Sequence, residues 1–373
     1  MSGADVFSVR FAVLLFAGFC WSAKAQEAAF QPLLKEGDSA FAKGDYETAR
    51  RSFEKALQLA QQLPADAPAR YEVLKRLTSN SAASKQFADA RRYLQQAVEW
   101  RESNIGPNDP KLEADLLLSV TLDLRTKDLD RALATVLRVQ AMHVAAYTSE
   151  SIPVADDLLR IGQIYLAENK PHEAASTLAA AADVRTRLLG SLDPGLLPVL
   201  DRLNEAFVAI GGVGPNEATL RQALIIRETL YGENSSEIIS TLEGLADACA
   251  AGGKYDAAEV LYARLLSLWE SLVGKDHPMV AITLDKIVVF DAERGELEKA
   301  RQALARSVAI RARFLAVGLS HQAVDEIAAK QLGQAKALYN RALAALGPPG
   351  PANEELIAQI KKALGDLQGS PAK

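Results

Sequence analysis

Apolar residues in this chain fall into runs with the spacing of a helix face, and the runs come in pairs. Between Ile239 and Asp276, Leu242, Leu245, Ala246 and Cys249 stand at i, i+3, i+4 and i+7. Gly252-Gly253-Lys254 interrupts that run as a helix end and turn would. Ala258, Leu261, Tyr262, Leu265, Leu268 and Trp269 then form a second inward face. Gly274-Lys275-Asp276-His277-Pro278 closes the second helix and opens the next, with Asp276 expected as the N-cap and Pro278 in the first turn.

The same two-helix pattern recurs every 42 residues. One column reads Gly106, Thr148, Gly190, Gly232 and Gly274; another reads Phe87, Leu129, Pro171, Val213, Tyr255 and Leu297. A third reads Ala90, Ala132, Ala174, Asn216, Ala258 and Ala300. Two helices joined by a tight turn approach closely, and a methyl group is about all their crossing tolerates. Self-similarity at this period predicts an all-α solenoid of stacked antiparallel helix pairs with one continuous core.

Eight pairs are expected, near 31–64, 71–105, 113–147, 155–189, 197–231, 239–273, 281–317 and 319–346, so that the solenoid fills 26–346. The fifth departs from the pattern, since Gly211-Gly212-Val213-Gly214-Pro215-Asn216 loosens the turn and replaces the alanine. The last is shorter, because Ala335 follows Ala300 too soon. Residues 347–373 are expected to form a Pro/Gly linker, a capping helix opened by Asn353 and ended at Leu364, and a disordered tail.

The unit resembles the tetratricopeptide repeat of the 42-residue type found in kinesin light chains and many bacterial relatives. Gly253-Lys254-Tyr255, Ala258, Leu261-Tyr262 and Gly274 to Pro278 carry the likeness, as do Gly44-Asp45-Tyr46, Ala49, Phe53 and Ala56 near the N-terminus. The resemblance covers roughly residues 30–346 and implies a right-handed superhelix. It also implies that first helices line a concave face along which partners lie as extended peptides. Its motifs are specific for fold and nearly silent on role.

Before the repeats, Arg10 precedes an apolar run from Phe11 to Trp21 and a Ser22-Ala23-Lys24-Ala25 end. That reads as a secretory signal peptide over 1–25, cleaved after Ala25, which sends the chain to the periplasm or the cell exterior. The run is shorter than the roughly 20 apolar residues a membrane span needs. A lipid anchor through Cys20 would want a small residue where Phe19 stands. Without this leader one cysteine remains, Cys249, read as a small buried residue.

Composition narrows the role. The chain is 49% hydrophobic, 24% charged and 6% aromatic, an ordinary balance for a helical protein. A net charge of −5 argues against non-specific nucleic-acid binding, which needs a basic face. The four histidines, His143, His172, His277 and His321, form no zinc motif, and no phosphate loop or nucleophile elbow occurs. No cofactor, metal or catalytic residue is expected.

What remains is the first-helix face. One column there reads Lys75, Leu117, Leu159, Asp201, Glu243 and Asp285, and its neighbour reads Thr121, Gln163, Glu205, Asp247 and Val289. Asp201, Glu205, Glu243, Asp247 and Asp285 are expected to form an acidic track over repeats five to seven, preceded by a more apolar stretch at Leu117, Leu159 and Gln163. Kinesin light chains tend to carry asparagine in the first column, where this chain is acidic, and that departure counts against their preference for acidic cargo peptides here. Neighbouring helices pack about 8–10 Å apart, close to the Debye length of roughly 8 Å, so the carboxylate fields overlap only partly. Such a track suits a basic protein or peptide partner; a solvated face of an acidic protein would read the same way.

Three roles follow: a non-catalytic scaffold for another protein, a self-associating envelope component, or a hydrolase assembled across the groove. The last needs two carboxyls about 5–9.5 Å apart over one cleft, which a regular ladder fits poorly.

Overall fold

The computed structural model describes residues 30–107, 109–350 and 353–369. The expected signal peptide, residues 1–25, lies outside them, as does the end of the expected tail at 370–373. Every regular element among the described residues is helical, so the all-α expectation holds. The chain forms two compact units that meet in sequence at Gly190-Ser191.

The first unit stacks four helix pairs. They are α1 (residues 30–42) with α2 (Tyr46–Ala60), α3 (Pro68–Ala83) with α4 (Phe87–Asn104), α5 (Pro110–Thr126) with α6 (Leu129–Ala146), and α7 (Ile152–Ala167) with α8 (Pro171–Leu189). The second unit contains α9 (Leu196–Ile210) and α10 (Val213–Tyr231), then α11 (Ile239–Ala251) and α12 (Tyr255–Val273). It continues with α13 (Pro278–Glu293), α14 (Leu297–Ala328), α15 (Leu332–Leu346) and α16 (Glu354–Gly369).

One local device makes every pair. The last carbonyls of a first helix have no intrahelical partners, and a left-handed residue after the helix lets the chain fold back onto them. The bonds run from Asp45 N to Ala40 O, Gln86 N to Ser81 O, Asp128 N to Asp123 O and Lys170 N to Tyr165 O. In the second unit they run from Gly212 N to Phe207 O, Lys254 N to Cys249 O, Glu296 N to Asp291 O and Gln331 N to Glu326 O. The left-handed residue is glycine at four of these turns, but Lys85, Lys127, Asn169 and Lys330 hold φ between 58° and 62° at the others. The loosened fifth turn therefore closes as the rest do.

The alanine column packs as expected. Ala49, Ala90, Ala132, Ala174 and Ala258 have no exposed surface, and neither do Ala56, Ala97 and Ala181 seven residues on. In the sixth pair Leu242, Leu245, Ala246 and Cys249 meet Ala258, Tyr262, Leu265 and Leu268 in one apolar cluster, with Leu261 and Trp269 packed against it. Burial pushes the Cys249 thiol up, which makes it unreactive.

Two boundaries differ from expectation. His277, not Asp276, caps α13: its Nδ1 accepts from Met279 N at 3.2 Å, while Asp276 turns to Arg313 at 2.8 Å. Asn353 stands immediately before α16, its carbonyl accepting from Ile357 N, and its side chain also stitches the Pro/Gly turn, accepting from Gly350 N at 2.7 Å and donating to Leu346 O at 2.8 Å. The helix behind it runs beyond Leu364 to Gly369.

The largest difference is α14. A break was expected between 317 and 319, yet Leu297–Ala328 is one helix of 32 residues. The proline of the Gly-x-x-His-Pro stop is missing here, since Gly318-Leu319-Ser320-His321 is followed by Gln322. A lone Gly318 lowers helix propensity by about 1 kcal/mol and does not end a helix by itself. The first half of α14 buries Ala303 and Ile310 against α13, and the second half buries Ala316, Leu319 and Ala323 against α15 and α16.

Candidate functional site

The expected residues fall in both units. Leu117 on α5 and Leu159 and Gln163 on α7 are half-buried in the first unit. The five carboxylates lie in the second unit, on α9 (Asp201, Glu205), α11 (Glu243, Asp247) and α13 (Asp285).

The carboxylates do not form a track of free charges, because each is ion-paired within the chain. Arg227 reaches Asp201 at 2.8 Å, and Arg202 reaches Glu205 at 2.7 Å. Lys286 Nζ lies 2.5 Å from Glu243 and 2.8 Å from Asp247, bridging two turns of α11. Asp285 is held by Arg311 and by the Ser307 hydroxyl at 2.5 Å. That hold keeps the Asp285 carboxyl below its usual range. Burial opposes the charge on Lys286, but its bonds to Asp247 and Glu243 outweigh that and raise its pKa.

A basic column on the second helices supplies much of this pairing. Arg101, His143, Arg185, Arg227 and Arg311 lie at multiples of 42 residues from one another. In the first unit the column meets buried acids: Arg101 pairs with Asp109 and lies 3.5 Å from Asp115, and His143 Nδ1 lies 2.6 Å from Asp157. Asp115 also takes a 2.8 Å bond from the Tyr71 hydroxyl and a 2.5 Å contact from Lys75. The Arg101 guanidinium sits 4.1 Å from the centre of the Tyr71 ring.

Between α11 and α13 lies an open cavity of about 420 Å³. Its floor is Tyr262 and Phe290, whose ring centres are 5.1 Å apart, with Ala250, Ala251 and Val289 beside them. Asp247, Asp285, Lys286 and Glu293 stand around it. The Tyr262 hydroxyl donates to Asp247 at 2.6 Å. Burial, aided by Asp247, pushes that phenol far above its ordinary pKa, so it stays a neutral donor.

The first unit repeats this arrangement in register. Asp38 on α1 pairs with Arg76 on α3 at 3.0 Å, as Asp247 pairs with Lys286. Phe53 stands where Tyr262 does, and a cavity of about 330 Å³ opens beside it, lined by Asp38, Phe41, Tyr71, Glu72, Lys75, Arg76 and Ser79. The signal for both sites was in the sequence: an aromatic in the inward column of the second helix, with an acid and a base one repeat apart.

Asp247 accepts from both Tyr262 and Lys286, and the pairing with Arg311 holds the Asp285 carboxyl down, so Asp285 is not set as a general acid. Among the described residues no group of three or more His, Cys, Asp or Glu is placed to hold a metal ion.

Residues 237–313, which contain this cavity, match the family model of the tetratricopeptide repeat. That segment, α11 to the first half of α14, carries tetratricopeptide repeats. Among solved structures, BtubC (BKLC) from P. vanneervenii is similar at 21% identity and a TM-score of 0.48, over 65% of this chain and 92% of that one. Nearly identical TPR-like repeats named for a kinesin light chain of Podosopora anserina give 19% and 0.47, over 55% and 96%. A tetratricopeptide repeat protein from Parabacteroides merdae gives 13% and 0.44, over 92% and 100%. No curated protein matches the chain.

Proposed function

We propose that this tetratricopeptide-repeat chain is an exported, non-catalytic scaffold that binds an extended segment of a partner protein along its first-helix face. The observation that carries the reading is the cavity between α11 and α13. An apolar floor of Tyr262 and Phe290 under a polar rim is the make-up of a pocket for one anchoring side chain. Glu243, Asp247, Asp285 and Glu293 outnumber Lys286 and Arg311, so a lysine or arginine beside the anchor is favoured. The export half of the reading rests on residues 1–25, and places the partner in the periplasm or outside the cell. No helix among the described residues is long and apolar enough to cross a membrane.

Selection from a random peptide library tests the binding reading. Wild-type protein should enrich peptides with an aliphatic or aromatic residue next to Lys or Arg. Ala250→Trp, which fills the cavity, should weaken them at least tenfold, and Val260→Asp on the outer side of α12 should not. Equal helicity of the three proteins by circular dichroism is the control. Peptides that bind Ala250→Trp as tightly as wild type would overturn the site.

A further inference from the structure

The fused helix α14 leaves a groove that a regular repeat would not have. In the preceding pairs a short turn sends the next first helix back alongside its predecessor. Here the chain runs straight, and an apolar hollow of about 460 Å³ stays open beside the middle of α14 and Pro278 at the start of α13. Phe314 and Leu315 on its wall are 61% and 53% exposed.

Gly318 is part of the lining of this hollow. A glycine inside a helix is less favourable than alanine, and a Cβ built on Gly318 would meet nothing within 4 Å. No packing within the chain therefore calls for it. A bare backbone in the middle of an exposed apolar face is what lets a second helix approach closely.

The residues around Gly318 also complement themselves. At 3.6 residues per turn, Arg311, Phe314, Leu315, Gln322 and Asp325 all fall within about 60° of Gly318 around the helix. An antiparallel copy crossing at Gly318 sets Arg311 against Asp325, each two turns from the crossing, and Phe314 against the stem of Gln322. Both charge contacts form at once, as a two-fold interface requires. Arg311 keeps donors to spare beside Asp285, since its side chain is half exposed and a guanidinium carries five N–H groups.

We propose that the hollow beside Gly318 is a homodimer interface, in which α14 of a second copy crosses antiparallel and seats its Phe314 in the groove. The hollow shares Arg311 with the rim of the partner-binding cavity, but molecular mass reads the dimer and peptide binding reads the cavity, so failure of one reading is distinguishable from failure of the other.

Sedimentation over a wide concentration range, joined to disulfide trapping, tests it. In a chain with Cys20 and Cys249 replaced by alanine, Gly318→Cys should form a covalent dimer under mild oxidation, because equivalent Cα atoms at a close crossing come within disulfide reach. Leu304→Cys, exposed elsewhere on α14, should not. Phe314→Glu should be monomeric. Gly318→Leu should be monomeric yet at least as helical and heat-resistant as wild type, which separates a lost interface from a lost fold. A wild-type mass that stays monomeric at every concentration would overturn the proposal. So would a dimer that survives both Phe314→Glu and Gly318→Leu, or equal trapping at 304 and 318.

Discussion

His143 Nδ1 lies 2.6 Å from the fully buried carboxylate of Asp157, and its Nε2 lies 3.1 Å from Glu113. One imidazole thus joins α5, α6 and α7, in the column where the other basic members are arginines. Arg160 contacts the second oxygen of Asp157 at 3.3 Å, and the Tyr147 ring lies 6.2 Å from the imidazole. Burial opposes the imidazolium, but the bonds to Asp157 and Glu113 outweigh it and raise the pKa above 6.5. A raised histidine pKa stabilises the fold fully below its unfolded value, and that stability is lost as pH rises through the folded value. Melting temperature should therefore fall from about pH 6.5 upward through the raised value. His143→Gln should be less stable at neutral pH by about 1–3 kcal/mol, since Arg160 still pairs with Asp157, and its pH slope should be flatter. Calorimetry across pH 6–9 on both proteins checks this; parallel slopes would contradict it.

Lys286 holds Glu243 and Asp247 together beside the cavity. Replacing it with glutamine should leave stability within about 1 kcal/mol, since the pair is partly exposed. The same change adds net negative charge at the rim, so peptides with a basic residue beside the anchor should bind more tightly at low salt. Titration at two ionic strengths reads this directly. Unchanged affinity at low salt would show that the rim charges play no part.

Two helical glycines should respond oppositely to alanine. A Cβ on Gly162 would stand 2.5 Å from Leu178 Cγ, too close without repacking of the α7–α8 crossing. Gly162→Ala should destabilise by about 1–3 kcal/mol. Gly318→Ala meets open space and should stabilise by up to about 1 kcal/mol. Urea melts of the two variants give both signs.

Asn216 breaks the alanine column, and its buried Oδ1 has no hydrogen-bond partner among the described residues. Asn216→Ala removes that unsatisfied acceptor and restores the methyl group used at the equivalent crossings. It should raise stability by about 1–3 kcal/mol. Thermal unfolding of the variant measures it.

The pairing of helices was readable because its determinants are local. An alanine every 42 residues and a turn between two helical runs need no knowledge of distant contacts. The continuity of α14 was not readable, since a shortened repeat can mean a tighter turn or no turn. Only the packing of its two halves, on α13 and on α15, distinguishes them. Asp201, Glu243, Asp247 and Asp285 looked free because their partners sit on other helices, 26 to 43 residues away in sequence. Read with the same period, the column of Arg101, His143, Arg185, Arg227 and Arg311 would have exposed part of that pairing.

The central claim, that a partner segment docks in the cavity between α11 and α13, is tested most directly by photocrosslinking in the living cell. A photoreactive amino acid is placed at Val289 on the cavity wall or at Val260 on the outer side of α12, 68% exposed. The account predicts a discrete partner adduct from position 289, absent from position 260 and lost when Ala250→Trp fills the cavity. Adducts from 260 alone, or adducts from 289 that survive Ala250→Trp, would contradict it.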